Sequence, residues 1–363
     1  MSVGLFHAQT PYHVLTACAI SASRGGKYTD YLVVSPGFPN ADALLDAIRK
    51  WPGSPFKSVQ ALWSIYGRNK YIRRIISKVR NQRLRSLLTN YNPDELFVFN
   101  TANPTSQALL HYGREQTPPL ETVYVEDGMD AYNNGRERTR QSETTYKLER
   151  LFFGDWYQRV SIMGDSDRID RVLVNFPEHA RPVLQEKPIS KIDFDPFLAG
   201  DNRPWISEYL QALDGSLPEQ LDAVVLLAHS NAITGDWYEQ LIRTALETFQ
   251  ERGDSVGIKY HPRESDPGFI DVPEGNITVL PSAAPVEVIY LLYRNQLRHV
   301  VGGISTGLLT ALIFLKNPNV ISLASQFGDG YSEISTQLSP FNICLIDGKR
   351  ELRDVLSTVN TDS

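Results

Sequence analysis

Three short groups in this chain pair residue types that can move a proton or hold an anion. Glu126-Asp127-Gly128 sets two adjacent carboxylates before a glycine. Like charges held close raise one pKa, which suits a carboxylate that must accept a proton near neutral pH. A solvated acidic turn would use the same residues. His261-Pro262 offers an imidazole that can donate to a phosphate or protonate a leaving group. The proline biases its neighbour toward extended backbone, and a loop histidine with no task is the alternative. Lys259, two residues earlier, falls on the same face of an extended strand as His261 and favours an anion there. Gly302-Gly303-Ile304-Ser305-Thr306-Gly307 puts two hydroxyls where a helix would open. Free N–H groups at a helix start make an anion site, although a plain Ser or Thr N-cap has the same appearance. A fourth group, Ala228-His229-Ser230-Asn231, reads equally as cleft lining, through Ser230 and Asn231, or as polar loop.

Other motifs are weaker. Gly303-Ile304-Ser305-Thr306-Gly307 has the G-x-S-x-G form of a hydrolase nucleophile elbow. That fold needs its histidine after the serine, and the last histidine here is His299. Asp165-Ser166-Asp167 has the D-x-D form that holds a metal-bound diphosphate, but Arg168 and Arg171 follow it. Neither G-x-G-x-x-G after a strand nor G-x-x-x-x-G-K is present, so dinucleotide and Walker-type readings lack support.

The elements that must carry these groups alternate along the chain. Val3–Ala8, Asp30–Ser35, Glu95–Asn100, Glu121–Val125 and Arg159–Met163 read as strands, with a helix over Tyr12–Ser23. Residues 175–205 hold five prolines and no sustained period, which predicts a linker or irregular crossover. Alternation then resumes. Strands are expected over Asp222–Ala228, Ser255–Tyr260, Ile277–Leu280, His299–Gly302, Asn319–Leu323 and Asn342–Ile346. Helices are expected over Asp236–Arg252, Val286–Tyr293 and Thr306–Lys316. This predicts an α/β chain of two domains, 1–190 and 191–363. Ligands of such sheets lie beyond the carboxyl ends of the strands, which is where all four polar groups fall.

Composition narrows the classes. The 363 residues carry a net charge of −6 and are 42% hydrophobic, which suits folded cores and not a nucleic-acid binder. Two cysteines, Cys18 and Cys344, argue against a disulfide scaffold or a thiolate metal site, and no metal is expected. No basic leader and no long apolar run is legible, so the expected location is cytoplasmic. Charge is segregated, however. Residues 63–93 hold Arg68, Lys70, Arg73, Arg74, Lys78, Arg80, Arg83 and Arg85 with no acidic residue. Ile72, Ile75, Ile76 and Val79 fall at helical spacing within it. That predicts an amphipathic helix, either a solvated face or a contact for an acidic glycan or for lipid at the inner face of the membrane.

The acidic pair with glycine, then His-Pro, then a Ser/Thr pair, in that order on two α/β halves, resembles the bacterial sialyltransferases. The likeness is greatest to the capsular polysialyltransferase and lipooligosaccharide sialyltransferase branches. Their D/E-D/E-G, HP and S-S/T motifs read here as Glu126-Asp127-Gly128, His261-Pro262 and Ser305-Thr306. The opening LFHAQTPYHVLTA resembles their first strand and its Thr-Pro loop, which puts Gln9 and Thr10 toward the cleft, with Asn100 at a neighbouring strand end. The resemblance implies a GT-B type fold, two Rossmann-like domains facing across a cleft. It implies CMP-sialic acid as donor, a cell-surface glycan as acceptor, inversion at the anomeric carbon, and no cofactor or metal. Glu126 or Asp127 would be the base, with the first of the pair preferred. His261 would stabilise the departing CMP phosphate, and Ser305 and Thr306, with Gly303, would hold it. Gly128, Lys259, Pro262, Ser282 and Glu287 would complete the donor site. The chemistry is consistent, because a departing monophosphate can be neutralised by one imidazole, two hydroxyls and a helix N-terminus. Another CMP-activated ulosonic acid, or a non-catalytic glycan- or membrane-binding module, would share these features.

Overall fold

Short runs of apolar residues bounded by polar turns specify sheets buried on both faces, and the chain builds two of them. The computed structural model describes residues 1–62, 70–133, 142–213, 217–230, 237–261, 264, 272, 274–303, 305–323, 338–346 and 348–358, with 70–80 by backbone alone. It divides into two compact units, Met1–Asp201 and Asn202–Ser363.

The first unit contains β1 (Ser2–Ala8), β2 (Tyr28–Val34), β3 (Phe56–Ala61), β4 (Glu95–Val98), β5 (Glu121–Val125), β6 (Arg171–Val174) and β7 (Ile189–Lys191). Their order in the sheet is β3-β2-β1-β4-β5-β6-β7, and every pairing is parallel. The second unit contains β8 (Ala223–Leu226), β9 (Val256–Lys259), β10 (Ile277–Val279), β11 (His299–Gly302), β12 (Asn319–Ser322) and β13 (Cys344–Leu345), ordered β10-β9-β8-β11-β12-β13 and also all parallel. Both are Rossmann-like. In each, strand order reverses beside the first strand, at β1/β4 and at β8/β11, and the crevice at that reversal is where such sheets bind ligands.

Helices cover the sheets for local reasons. The helix Pro11–Arg24 opens on Thr10, whose hydroxyl accepts the His13 N–H at 3.2 Å, and Pro11 supplies a preset φ at the first position. Its residues Tyr12–Ser21 are all buried. In the second unit Tyr238, Leu241, Ile242, Ala245, Leu246 and Phe249 repeat at helical spacing along Trp237–Glu251 and join the core formed with Val225, Val256 and Ile258.

Most expected elements are present, but three expectations are corrected. Residues 175–205 are not a linker. They carry β7, which completes the first sheet, and the helix Asp195–Ala199, which packs on Pro11–Arg24. The boundary between the units accordingly lies after Asp201, later than the expected 190. Arg159–Met163 is not a strand. At its start Gln158 exchanges backbone hydrogen bonds with the Gln107 carboxamide at 2.8 and 3.0 Å, and the sheet position beside β5 belongs to Arg171–Val174. The unexpected β3 alternates buried and exposed residues at the sheet edge, a weaker apolar signal than a central strand.

The basic segment forms the helix Lys70–Tyr91. Arg68 and the side chains of Lys70, Arg73, Arg74, Lys78 and Arg80 lie outside the described residues. Arg83 and Arg85 are exposed while Leu84, Leu87 and Leu88 are buried. Arg85 stands 4.4 Å over the Tyr112 ring and 3.3 Å from Glu115. Among the described residues no helix is long and apolar enough to cross a membrane. Cys18 and Cys344 are free thiols in different units.

Candidate functional site

Both units place polar groups at the carboxyl ends of their central strands. In the first unit the acidic pair follows β5. Its two carboxylates are adjacent in sequence but point into different environments.

Glu126 is 2% exposed and fully occupied. Tyr12 Oη donates to its Oε1 at 2.5 Å, the Asn175 backbone N–H to its Oε2 at 2.7 Å, and Tyr132 Oη and Asn175 Nδ2 also donate to it. Burial pushes its pKa up, and the hydrogen bonds from Tyr12, Tyr132 and Asn175 oppose that rise. Burial, with Glu126 alongside, pushes the Tyr12 and Tyr132 hydroxyls up as well, so both remain donors. A carboxylate whose lone pairs are all taken by four donors has none left for a substrate. The preference for the first member of the pair as base therefore meets a geometric obstacle.

Asp127 is the open member, with its side chain 23% exposed. His13 Nε2 lies 2.7 Å from Oδ1, and Asn100 Nδ2 donates to Oδ2 at 3.0 Å. Asn100 cannot turn its amide round, because its Oδ1 accepts the Ala102 N–H at 3.1 Å. Gly128 follows at φ 61°, a left-handed conformation that favours glycine, and opens the single turn Gly128–Ala131. Arg181 pins that turn through Nε to the Asp130 carbonyl at 2.8 Å.

Gln9 and Thr10 sit at the end of β1, but neither is simply cleft lining. The Gln9 carboxamide donates to Ser106 Oγ at 3.0 Å within a buried cluster that includes His7, whose ring nitrogens meet Ser106 Oγ at 3.0 Å and Ser35 Oγ at 2.8 Å. Thr10 is the helix cap.

In the second unit His261 follows β9, half-buried, with its ring 5.4 Å from that of His229 in an edge-to-face arrangement. Glu264 clasps the two strand ends. Its backbone N–H donates to the His261 carbonyl at 2.8 Å, and its buried carboxylate accepts the Ser230 N–H at 2.8 Å and lies 3.8 Å from His229 Nδ1. Pro262 and Asn231 lie outside the described residues.

Ser305 is the N-cap of the helix Thr306–Phe314, its Oγ accepting the Gly307 N–H at 3.0 Å. The cap uses a lone pair and leaves the hydroxyl proton able to donate elsewhere. Thr306 is half-buried beside it, and Gly303 is held by Ser322 Oγ donating to its carbonyl at 3.0 Å. A Cβ at Gly307 would stand 2.9 Å from Leu226 Cδ1, so the helix end packs against the end of β8 only because that residue is glycine.

Lys259 and Glu287 are both buried. The Lys259 ammonium donates to the Ser282 carbonyl at 2.9 Å, and burial lowers its pKa to about 8. Burial raises that of Glu287, which accepts a 3.4 Å hydrogen bond from Thr310. Lys259 thus fastens the Pro281–Ser282 loop from below, while Ser282 itself is exposed.

The Asp165-Ser166-Asp167 sequence runs from Gly164, whose N–H donates to Thr101 Oγ1 at 3.0 Å, toward the start of β6, and the Ser166 carbonyl accepts from Lys187 Nζ at 2.9 Å. Among the described residues no group of three or more His, Cys, Asp or Glu could hold a metal ion.

Sequence reasoning missed Tyr12, His13, Tyr132 and Asn175. A signal for the first two was legible, since a Thr10-Pro11 helix start fixes them in the first turn beside the end of β1. Asn175 follows a strand that had been sought a dozen or so residues too early.

The sequence model of the family described as alpha-2,8-polysialyltransferase (POLYST) matches residues 4–324. Solved structures of the same shape include the UDP-GlcNAc 2-epimerase of Methanocaldococcus jannaschii, at 10% identity and TM-score 0.56, covering 100% of this chain and 94% of that one. The Neisseria meningitidis UDP-GlcNAc 2-epimerase bound to UDP-GlcNAc gives 12% identity and TM-score 0.54, covering 98% and 91%. The glycosyltransferase SnogD from Streptomyces nogalater gives 12% identity and TM-score 0.55, covering 99% and 91%. At these identities the likeness establishes the fold, GT-B type with two Rossmann-like domains. No curated relative matches the chain.

Proposed function

The chain belongs to the alpha-2,8-polysialyltransferase family, a sialyltransferase-type glycosyltransferase, and from that premise we propose that it moves sialic acid from CMP-sialic acid to a hydroxyl of a cell-surface glycan. The reaction proceeds with inversion and without a metal. The acceptor oxygen bonds to the anomeric carbon as the bond from that carbon to the phosphate oxygen breaks. The acceptor proton passes to Asp127, and CMP departs as a phosphate monoester.

Each unit, taken by itself, carries groups suited to one part of this chemistry. A sugar hydroxyl is a poor nucleophile and needs a base within hydrogen-bond reach. Asp127 is the more open carboxylate of the acidic pair, its side chain 23% exposed and met by His13 and Asn100. In the second unit His261, Ser305 and Thr306 receive the phosphate, helped by the positive end of the helix Thr306–Phe314. Lys259, in electrostatic contact with the Glu287 carboxylate, shapes the nucleoside side by fixing the Pro281–Ser282 loop. The cationic segment Arg68–Arg85 supports an acidic glycan as acceptor.

The observation that carries the reading is the half-buried carboxylate of Asp127, the more open of the acidic pair, within a chain matched over residues 4–324 by the family. The test is CMP-sialic acid consumption with an oligosialic acid acceptor in EDTA, with the product's anomeric configuration read by NMR. Turnover that survives EDTA, inversion, and an Asp127→Asn variant slowed by about 100-fold or more are expected. Retention of configuration, or loss of turnover on chelation, would overturn the mechanism. Full activity in Asp127→Asn with a dead Glu126→Gln would move the base to Glu126.

A further inference from the structure

His7 is buried near the end of β1 among the apolar Leu5, Phe6 and Ala8, and no step of the proposed reaction uses it. An imidazole in such a place must have its polar atoms met. Side chains from three parts of the first unit do this. Ser106, in the first turn of the helix Pro104–Arg114, stands 3.0 Å from Nδ1. Gln9, just past β1, brings its Nε2 to 3.4 Å from the same nitrogen and donates to Ser106 Oγ at 3.0 Å. Ser35, just past β2, stands 2.8 Å from Nε2.

The protons of this row can be followed. A carboxamide N–H2 only donates, so the Nδ1 that faces it is the accepting nitrogen. The ring proton is then on Nε2 and is donated to Ser35 Oγ. The Ser35 hydroxyl accepts from His7, makes no other hydrogen bond among the described residues, and keeps its own proton to give. Ser35 is half-buried where His7, Gln9 and Ser106 are buried, so the row runs outward and ends on that proton.

The backbone holds Ser35 in place. Its N–H donates to the Ala8 carbonyl at 2.9 Å, and Pro36 keeps it extended. Asn103 caps the helix that carries Ser106, accepting the Thr105 N–H at 2.8 Å. The row spans the carboxyl ends of β1 and β2 and the start of the helix that follows β4. It thus lies beside the β1/β4 reversal, where a parallel sheet takes its ligand.

We propose that Ser35, aimed by this row, binds the acceptor glycan by donating its hydroxyl proton to an oxygen of the sugar. This rests on the reading of the chain as a transferase with a glycan acceptor, and it is independent of which carboxylate takes the acceptor proton. A single neutral donor suits the hydroxyl and carboxylate oxygens of a glycan, while the donor's phosphate has its own groups in the second unit.

The test compares Ser35→Ala, which removes the hydroxyl, with Ser35→Thr, which keeps it. Oligosialic acid is titrated onto each protein without donor, and the KM for oligosialic acid and for CMP-sialic acid are measured separately. Ser35→Ala is expected to weaken Kd and KM for oligosialic acid by about 3- to 10-fold and to leave the KM for CMP-sialic acid unchanged. Ser35→Thr should stay within about twofold of the parent. Loss of His7's partner alone would lower the urea midpoint of Ser35→Ala without this selective change. An unchanged Kd in Ser35→Ala, equal weakening in both variants, or an equal rise in both KM values overturns the proposal. A parent that binds oligosialic acid but does not consume CMP-sialic acid removes the transferase reading instead, and the Kd comparison still decides the role of Ser35.

Discussion

Tyr12 Oη donates to Glu126 Oε1 at 2.5 Å, joining the first turn of the Pro11–Arg24 helix to the end of β5. With Tyr132 and Asn175 this makes a buried polar cluster around one carboxylate. Removing one donor from such a group leaves part of its desolvation unrepaid. Tyr12→Phe is therefore expected to lower stability by about 1–3 kcal/mol in urea titration. An unchanged urea midpoint would show that Glu126 has no need of this donor.

The second unit's anion cradle separates into two effects. Ser305→Ala removes a helix cap and is expected to cost about 1 kcal/mol of stability. It should also weaken inhibition by CMP, since the same hydroxyl keeps a proton for the phosphate. His261→Ala should lower kcat by about 100-fold with little change in stability, because the ring is half-buried on a strand-end loop. Unaltered turnover in His261→Ala, measured under saturating CMP-sialic acid, would remove this residue from the chemistry.

Gly128 at φ 61° and Gly253 at φ 78° form a matched pair. Alanine at either position meets a left-handed penalty of roughly 1–2 kcal/mol. A Cβ at Gly253 would meet nothing within 4 Å, and the position lies in the turn before β9, at the amino end of that strand. Gly253→Ala is expected to lose stability and keep its kcat. Gly128→Ala should lose stability by a similar amount and also lose kcat, because the strain falls on the residue next to Asp127. Equal kcat values in the two variants would mean that the Asp127 backbone tolerates the shift.

His299, at the amino end of β11, has its imidazole pushed down to about 4 by burial first, then by Arg252 and Arg298. Its unfolded value is about 6.5, so the unfolded chain takes up the proton first on acidification. Stability from this group is complete above about pH 6.5 and is lost as pH falls toward 4, by at most about 3 kcal/mol. His299→Gln keeps an acceptor for Arg252 and does not titrate. Its urea midpoint should fall less steeply than the parent's across that window, and parallel curves would exclude His299 as the cause.

The halves of the fold were legible in the sequence because central parallel strands are continuous apolar runs. ETVYV and RHVVG announce β5 and β11, and the polar groups just beyond them are the site candidates. The edge strands were not legible. FKSVQA alternates, and the three residues of β7 stand in a proline-rich stretch that reads as a linker until a parallel neighbour supplies its hydrogen bonds. The residue types of the acidic pair, the His-Pro step and the Ser/Thr helix start were fixed by the chain alone, together with the family they resemble.

The division of labour within the acidic pair was decided only in three dimensions. Neighbours in sequence, Glu126 and Asp127 differ because successive side chains leaving a strand end point to opposite sides. One side meets Tyr12, Tyr132 and Asn175 in the interior. The other meets His13, Asn100 and solvent. Apart from Tyr132, which follows the Gly128–Ala131 turn, those partners come from the Pro11–Arg24 helix and the ends of β4 and β6, which a one-dimensional pattern cannot bring together. Burial and hydrogen-bond donors depend on all of them at once.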